Sequence, residues 1–201
     1  MGTRGLSCAF VDGQFKVAQY GQWDHYPSGQ GTSIAVFIEN LLNEGRLDEF
    51  TEAIRECRFL TNEEVEQKQN QVIGKTNGGW INMEQSDKLL KELPELHRDT
   101  GSGVFSLILN NGVREIHNDV QFAVDGLFCE WAYVIDLDKK VLEVYQGAGS
   151  GGKKGPGKFS DLKLEPGRTN SYGTVQLYAT IPFKSVMKGI DKVCRKYEKE
   201  N

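Results

Sequence analysis

The stretch Phe128-Cys-Glu-Trp-Ala-Tyr-Val-Ile-Asp-Leu137 decides the fold of this 201-residue chain. Its residues alternate between two faces, as they do in a β-strand, and both faces are largely apolar. One face carries Cys129, Trp131, Tyr133, Ile135 and Leu137, and the other carries Phe128, Ala132 and Val134. A strand that is apolar on both faces lies in the centre of a sheet with cover on each side. We therefore predict a layered fold built around this strand.

Further strands lie on both sides of this segment in the sequence. The turn at 136–140 leads into 141–145, which predicts a hairpin, and 172–181 is another strand candidate. Near the start of the chain, Asp12-Gly13 is a strong two-residue turn signal, and it separates predicted strands at 3–11 and 14–20. Both ends of the chain therefore contribute antiparallel hairpin strands.

Helical periodicity dominates the region between the two hairpins. Two pairs, Thr61 with Glu64 and Asn82 with Gln85, form capping boxes that predict helix starts. The candidate helices are 34–42, 47–57, 61–72, 82–93, 104–109 (which also fits a strand) and 186–197. Strands at both ends with helices between them, and no regular βαβ alternation, predict the α+β class. We expect one domain, 1–201, arranged as a layered sandwich of antiparallel sheets flanked by helices, of the αββα type.

Composition and charge exclude several classes of function. The formal net charge is −4, so the chain lacks the basic field of a nucleic-acid-binding protein, and no nucleic acid partner is expected. No apolar run approaches the roughly 18 residues of a membrane span, and the first residues lack a signal-peptide core. These features predict a cytoplasmic protein without a membrane contact. The sequence does not indicate an oligomeric state.

The four cysteines, Cys8, Cys57, Cys129 and Cys194, are far apart in the sequence. Metal sites of the common types need ligands at short spacings such as Cys-x-x-Cys, and the chain has none. We therefore predict reduced, structural cysteines, no metal site and no cofactor.

The loop Gln19-Tyr-Gly-Gln-Trp-Asp-His-Tyr-Pro-Ser-Gly-Gln-Gly31 is the best candidate for a functional site. Trp23 and Tyr26 offer large aromatic faces with a polar group, and Asp24 adjoins His25, which titrates near neutral pH. The same residues also suit a demanding turn, since Tyr-Pro-x-Gly is good turn chemistry. We expect the loop to pack against the N-terminal strand and predict ligand-binding roles for Arg4, Gln22, Trp23, Asp24, His25 and Tyr26.

Glu130 is a carboxylate inside the otherwise apolar stretch that decides the fold. A carboxylate buried in such a strand needs a cationic partner, such as Arg4 or a lysine, or it must hold a proton. Glu130 is therefore a further candidate for the ligand-binding site.

Two familiar motifs are present only in part. The segment Gly147-Ala-Gly-Ser-Gly-Gly-Lys-Lys154 nearly matches the phosphate-binding P-loop, but Lys154 replaces the required hydroxyl residue, and Gly155-Pro-Gly157 prevents a helix from starting. We interpret 147–157 as a flexible glycine loop. The triplet His97-Arg98-Asp99 matches a kinase motif only in its letters, and Asn118-Asp119 is most simply a turn.

Three segments together resemble a family of uncharacterised proteins found in tailed bacteriophages and in fungi. These segments are the opening Met1-Gly-Thr-Arg-Gly5, the loop 19–31, and 128–138 with 142–145. The resemblance implies a phage-type protein, compatible with a counter-defence role in the host cytosol, and implies no particular reaction. A weaker similarity, in the pattern of elements, is to the N-terminal-nucleophile hydrolases, whose fold is a four-layer αββα sandwich.

Two hypotheses of function follow. In the first, a pocket formed by the start of the first strand, the 22–29 loop and the central strand binds a small polar ligand or a host protein. In the second, the protein is an amide hydrolase with Thr3 or Cys8 as nucleophile, assisted by Asp24 or His25. The catalytic residues of such an enzyme are not assigned by the sequence.

Overall fold

A computed structural model describes residues 2–75, 80–148, 155–163 and 172–200 of the chain. The strands are β1 Gly5–Val11, β2 Gln14–Gly21, β3 Arg58–Phe59, β4 Glu115–Ile116, β5 Trp131–Asp136, β6 Val141–Gln146 and β7 Gln176–Pro182. The helices are α1 Thr32–Asn43, α2 Leu47–Arg55, α3 Asn62–Ile73, α4 Met83–Glu92, α5 Val104–Asn111 and α6 Val186–Glu200. The α+β class is confirmed, as are both capping boxes and the helix at 104–111.

The architecture within this class differs from the expected stack of antiparallel sheets. The described residues form one five-stranded sheet in the order β2-β1-β5-β6-β7 and a separate two-stranded pair, β3 with β4. The β1–β2, β5–β6 and β6–β7 pairs are antiparallel, but β1 and β5 are parallel. Two hairpins thus meet side by side along one parallel seam, instead of facing each other as two sheets.

Central strand β5 is buried along its whole length, as its doubly apolar pattern predicts. On one face of the sheet, Trp131, Tyr133 and Ile135 belong to a core that includes α1, α2, α5 and α6. On the other face, Ala132 and Val134 pack in a smaller core with short turns around Ala123 and Phe159. Among the described residues, α-helices therefore pack on the first face, and short turns and loops pack on the other.

The strand begins three residues later than the sequence suggested. Phe128, Cys129 and Glu130 precede β5, which starts at Trp131. Glu130 is half-buried and lies outside the strand, so the prediction that it lies within the strand is wrong. The strand predicted at 172–181 likewise starts later, at Gln176, and the glycine-rich segment predicted to be flexible lies partly outside the described residues, at 149–154.

A buried ionic cluster lies in the smaller core. Lys158 Nζ is 2.7 Å from Asp136 Oδ2 and 3.8 Å from Glu143 Oε1. Tyr145 donates its hydroxyl hydrogen to Glu143 Oε2 at 2.6 Å, and the Lys158 ammonium lies 4.0 Å from the centre of the Phe10 ring. Asp136 is fully buried and Glu143 nearly so. One ammonium group therefore compensates two buried carboxylates.

Candidate functional site

His25 anchors the 22–29 loop in the protein interior. Its backbone N–H donates to the Thr3 carbonyl at 3.1 Å, and its own carbonyl accepts from the Tyr133 hydroxyl at 2.8 Å. The ring is completely buried and lies on Gly5 and Gly21, which are paired across β1 and β2. The loop therefore packs on the first strand as predicted, and the His25 ring is enclosed by protein and out of reach of a ligand in solvent.

The protonation of His25 follows from its surroundings. Burial lowers the pKa of its imidazole from 6.5 to about 4, so the ring is neutral at physiological pH. Nδ1 lies 3.1 Å from the Trp23 carbonyl oxygen, which can only accept a hydrogen bond, so Nδ1 carries the proton. Nε2 is then an acceptor, and among the described residues it has no hydrogen-bond partner.

Asp24 shapes the turn that delivers His25 to the interior. It adopts a left-handed backbone conformation with φ of 57°, and its carbonyl accepts from the Gln30 N–H at 2.7 Å. Its side chain is exposed. Aspartate and asparagine tolerate this conformation better than most residues do.

We expect Asp24→Asn to change the free energy of unfolding by no more than about 0.5 kcal/mol, because asparagine also populates this backbone region. Asp24→Val is expected to cost about 1–3 kcal/mol, since a β-branched residue is strained there. Denaturant unfolding of both variants measures the difference. Equal stability of the two would remove the turn-shaping role of Asp24.

Gln22 and Trp23 connect the loop to the segment 96–99. The Gln22 N–H donates to the Arg98 carbonyl at 3.0 Å, and Trp23 Nε1 donates to Asp99 Oδ1 at 3.0 Å. The Gln22 side chain accepts from the Tyr20 hydroxyl at 2.6 Å. Trp23 remains 50% exposed, so one side of this aromatic face is open to solvent.

The other predicted site residues lie apart from this contact. Tyr26 points towards α6, where its ring centre is 6.0 Å from that of Tyr197. The guanidinium of Arg4 lies over the Phe128 ring at 4.5 Å. Glu130 accepts from the Arg4 backbone N–H at 3.3 Å and forms no described ion pair with the Arg4 guanidinium. The seven predicted residues therefore do not converge on one pocket.

A polar cleft of about 190 Å³ lies beside the Tyr20–Gln22 corner. It is lined by Gln19, Tyr20, Leu96, Arg98, His117 and Asp119. His117 Nδ1 is 2.7 Å from Asp119 Oδ1, and Asp119 Oδ2 accepts from the Tyr20 N–H at 2.9 Å. The hydrogen bond to Asp119 raises the pKa of the His117 imidazole above its usual value. The charge of Asp119 is therefore engaged within the protein, while His117 and Arg98 are partly exposed.

A second, wider cleft of about 450 Å³ adjoins the polar cleft and shares Leu96 and Arg98 with it. Its wall includes Ser86 and His97, whose Oγ and Nε2 atoms are 3.0 Å apart. Asp99 lies nearby, but its carboxylate is 3.8 Å from His97 Nδ1, which instead accepts the Asp99 backbone N–H at 3.2 Å.

This arrangement has the composition of a catalytic triad but the wrong tautomer. Burial lowers the pKa of His97, so the ring is neutral, and the backbone donor at Nδ1 places the proton on Nε2. Nε2–H then donates to Ser86, whereas nucleophilic catalysis requires Nε2 to accept the serine proton. Ser86 is not an activated nucleophile in this geometry.

The two nucleophiles considered for a hydrolase are also inaccessible. Thr3 is 1% exposed and Cys8 is fully buried. Burial, together with the nearby charge of Asp119, raises the pKa of the Cys8 thiol, so the reactive thiolate is disfavoured. All four cysteines are free.

No family model matches the sequence, and neither a curated protein nor a solved structure is significantly similar to the chain. Within the described residues, no three or more His, Cys, Asp or Glu side chains are grouped so that they could hold a metal ion. Within the same residues, every helix is too short or too polar to cross a membrane.

Sequence reasoning missed the polar cleft. It treated Asn118-Asp119 as a turn, assigned no role to His117, and took Arg98 as part of a chance match to another motif. The signal that was available is the spacing His-x-Asp at 117–119, which lets an aspartate orient an imidazole two residues away. The partner residues Tyr20 and Arg98 are distant in sequence, and only the fold brings them together.

Proposed function

We propose that the protein binds a small anionic ligand in the polar cleft beside Tyr20 and Gln22. The proposal is supported most by the difference between the acidic and the basic side chains of the cleft. Both carboxylate oxygens of Asp119 already accept hydrogen bonds from the protein, whereas the side chains of Arg98 and His117 are partly exposed. A carboxylate or phosphate group would accept hydrogen bonds from Arg98 and, when its imidazole is protonated, from His117.

The proposal keeps the small polar ligand expected from the sequence and moves its position. The Tyr20–Gln22 hydrogen bond and the Trp23–Asp99 contact hold the 22–23 corner against this cleft, so Gln22 and Trp23 act at its rim. No described feature favours the amide-hydrolase alternative, because Thr3 and Cys8 are buried.

Replacement of Arg98 tests the proposal. With sulfate as the probe, we expect Arg98→Gln to weaken binding by about 10- to 100-fold, since a charge-assisted hydrogen bond contributes roughly 1.5–3 kcal/mol. Arg55→Gln is the matched control, because Arg55 pairs with Asp12 at the opposite end of the first hairpin. Isothermal titration calorimetry measures both, and unchanged sulfate binding by Arg98→Gln would reject the proposal.

The proposal also predicts how binding depends on pH. His117 binds an anion only when protonated, and its raised pKa keeps it protonated to a higher pH than usual. Sulfate binding should therefore be stronger at about pH 5.5 than at about pH 8.5, on either side of the ordinary histidine pKa of about 6.5. His117→Gln should flatten this profile. A variant that keeps the wild-type profile would show that His117 takes no part.

A further inference from the structure

We infer that the ligand of the polar cleft is an amphipathic anion, an aliphatic carboxylate whose chain occupies the adjoining wide cleft. This inference rests on the proposed anion-binding function and adds the chemical class of the ligand. It starts from the position of the two clefts, which lie next to each other and share Leu96 and Arg98 in their linings. A molecule whose charged group meets Arg98 therefore has about 450 Å³ of further space beside it.

The lining of the wide cleft suits an aliphatic chain. The apolar part of its lining consists of Ile81, Met83, Leu89 and Leu96, and Arg98 lines the same cleft. Met83 is 81% exposed and Ile81 is 40% exposed, which leaves large apolar side chains in water. Methionine adapts its shape to a bound group, and a chain laid along these residues would remove this surface from water.

Two polar residues in the wall of the wide cleft, Ser86 and His97, already have hydrogen-bond partners within the protein. Ser86 and His97 are hydrogen-bonded to each other, and the carbonyl of His97 accepts from the Gln19 side chain at 3.2 Å. His97 is neutral, because burial lowers its pKa. Because these hydrogen bonds lie within the protein, an aliphatic chain that covers Ser86 and His97 does not break them.

Charge fixes the direction in which the ligand lies. Arg98 stands at the junction of the clefts, and His117 lies in the polar cleft beyond it. Asp99 reduces the positive charge only partly, since its nearest oxygen is 3.9 Å from Arg98 Nε and also accepts from Trp23. The carboxylate therefore binds between Arg98 and His117, and the chain extends towards Leu89 and Met83.

A chain-length series tests this assignment. Acetate, butyrate, hexanoate and octanoate are titrated into the protein by calorimetry, below the concentrations at which octanoate forms micelles. Each methylene that leaves water is expected to tighten binding by about fourfold, since burying one contributes about 0.8 kcal/mol. Octanoate should therefore bind at least about tenfold more tightly than acetate, even when only part of its chain is buried.

Two variants of α4 locate the chain. Met83→Gln places a neutral polar group in the wide cleft and should weaken octanoate binding several-fold, while acetate and sulfate, which are too short to reach it, should bind as before. Leu90→Gln is the matched control, because Leu90 is an exposed apolar residue of the same helix outside the lining of the cleft. It should leave all three ligands unaffected.

The outcomes separate the two proposals. Equal affinity for acetate and octanoate, together with sensitivity to Arg98→Gln, would overturn the amphipathic ligand and keep the anion site. If Arg98→Gln bound octanoate as tightly as the wild type does, the amphipathic ligand would also be overturned, because the aliphatic chain would then bind without recognition of the carboxylate. Failure of sulfate and of every carboxylate to bind would reject the anion site itself.

Discussion

Gly5→Ala is expected to destabilise the protein by about 3 kcal/mol or more, which is the largest effect we foresee for adding one methyl group. A Cβ at this position would overlap the backbone carbonyl oxygen of Trp131 and lie 2.6 Å from His25 Cδ2. The carbonyl belongs to central strand β5 and cannot move without breaking its register with β1. Thermal unfolding should show a melting temperature lower by about 6–12 °C.

Gly103→Ala is the matched control for this prediction. A Cβ at Gly103 would meet only a Thr100 methyl group at 3.7 Å, and its φ of −57° suits alanine. This variant should be as stable as the wild type or more stable by about 0.4–1 kcal/mol, because alanine reduces the entropy of the unfolded chain. If Gly5→Ala and Gly103→Ala melted at the same temperature, the close packing of β1 on β5 would be disproved.

Lys158→Met is expected to cost about 3–5 kcal/mol, because it leaves two buried carboxylates without their cation. Asp136 and Glu143 would keep only their hydrogen bonds from the Lys139 N–H and the Tyr145 hydroxyl. Methionine preserves most of the side-chain volume over the Phe10 ring, so the loss reports charge more than packing. Urea unfolding at neutral pH measures the change.

A triple variant distinguishes charge from packing in this cluster. Asp136→Asn/Glu143→Gln/Lys158→Met removes all three charges together and should recover at least about half of the lost stability, since replacing a whole buried ionic group is often nearly neutral. Lys75→Met, at an exposed position, controls for the loss of a lysine. A triple variant as unstable as Lys158→Met would attribute the effect to packing.

Local signals in the sequence predicted the local structure well. Asp12-Gly13 produced the first hairpin, and the capping boxes at Thr61 and Asn82 produced helix starts where expected. Each of these features involves residues within a few positions of each other. Their conformation is set directly by local hydrogen bonds and by the backbone preferences of the residues themselves.

The sheet arrangement could not be predicted in the same way. An apolar pattern on both faces showed that 131–136 is central, but it does not reveal which strands lie beside it. The parallel pairing of β1 with β5 depends on the close approach of Gly5 to Trp131, and a glycine at the start of a strand does not by itself indicate such an approach. Glu130 was misplaced because the apolar pattern begins before Trp131, the first paired residue of the strand.

The candidate site was predicted in part. Gln22 and Trp23 contact the segment that carries Arg98 and Asp99, but the charged residues of the polar cleft, Arg98, His117 and Asp119, come from segments that the sequence analysis did not select. His25 was chosen because histidine titrates near neutral pH, and its burial between two glycines removes that property. Burial of a single ring is a tertiary effect that local sequence does not encode.

The parallel seam between β1 and β5 also has a consequence for the kinetics of folding. Each hairpin closes a short loop, but the seam joins residues such as Arg4 and Glu130, which are 126 positions apart. The entropy of closing so long a loop must be overcome before its contacts contribute, and such long-range pairing slows folding. Since Tyr20 is on the first hairpin and His117 belongs to the intervening segment, the polar cleft forms only when the chain between the hairpins has folded onto the first of them.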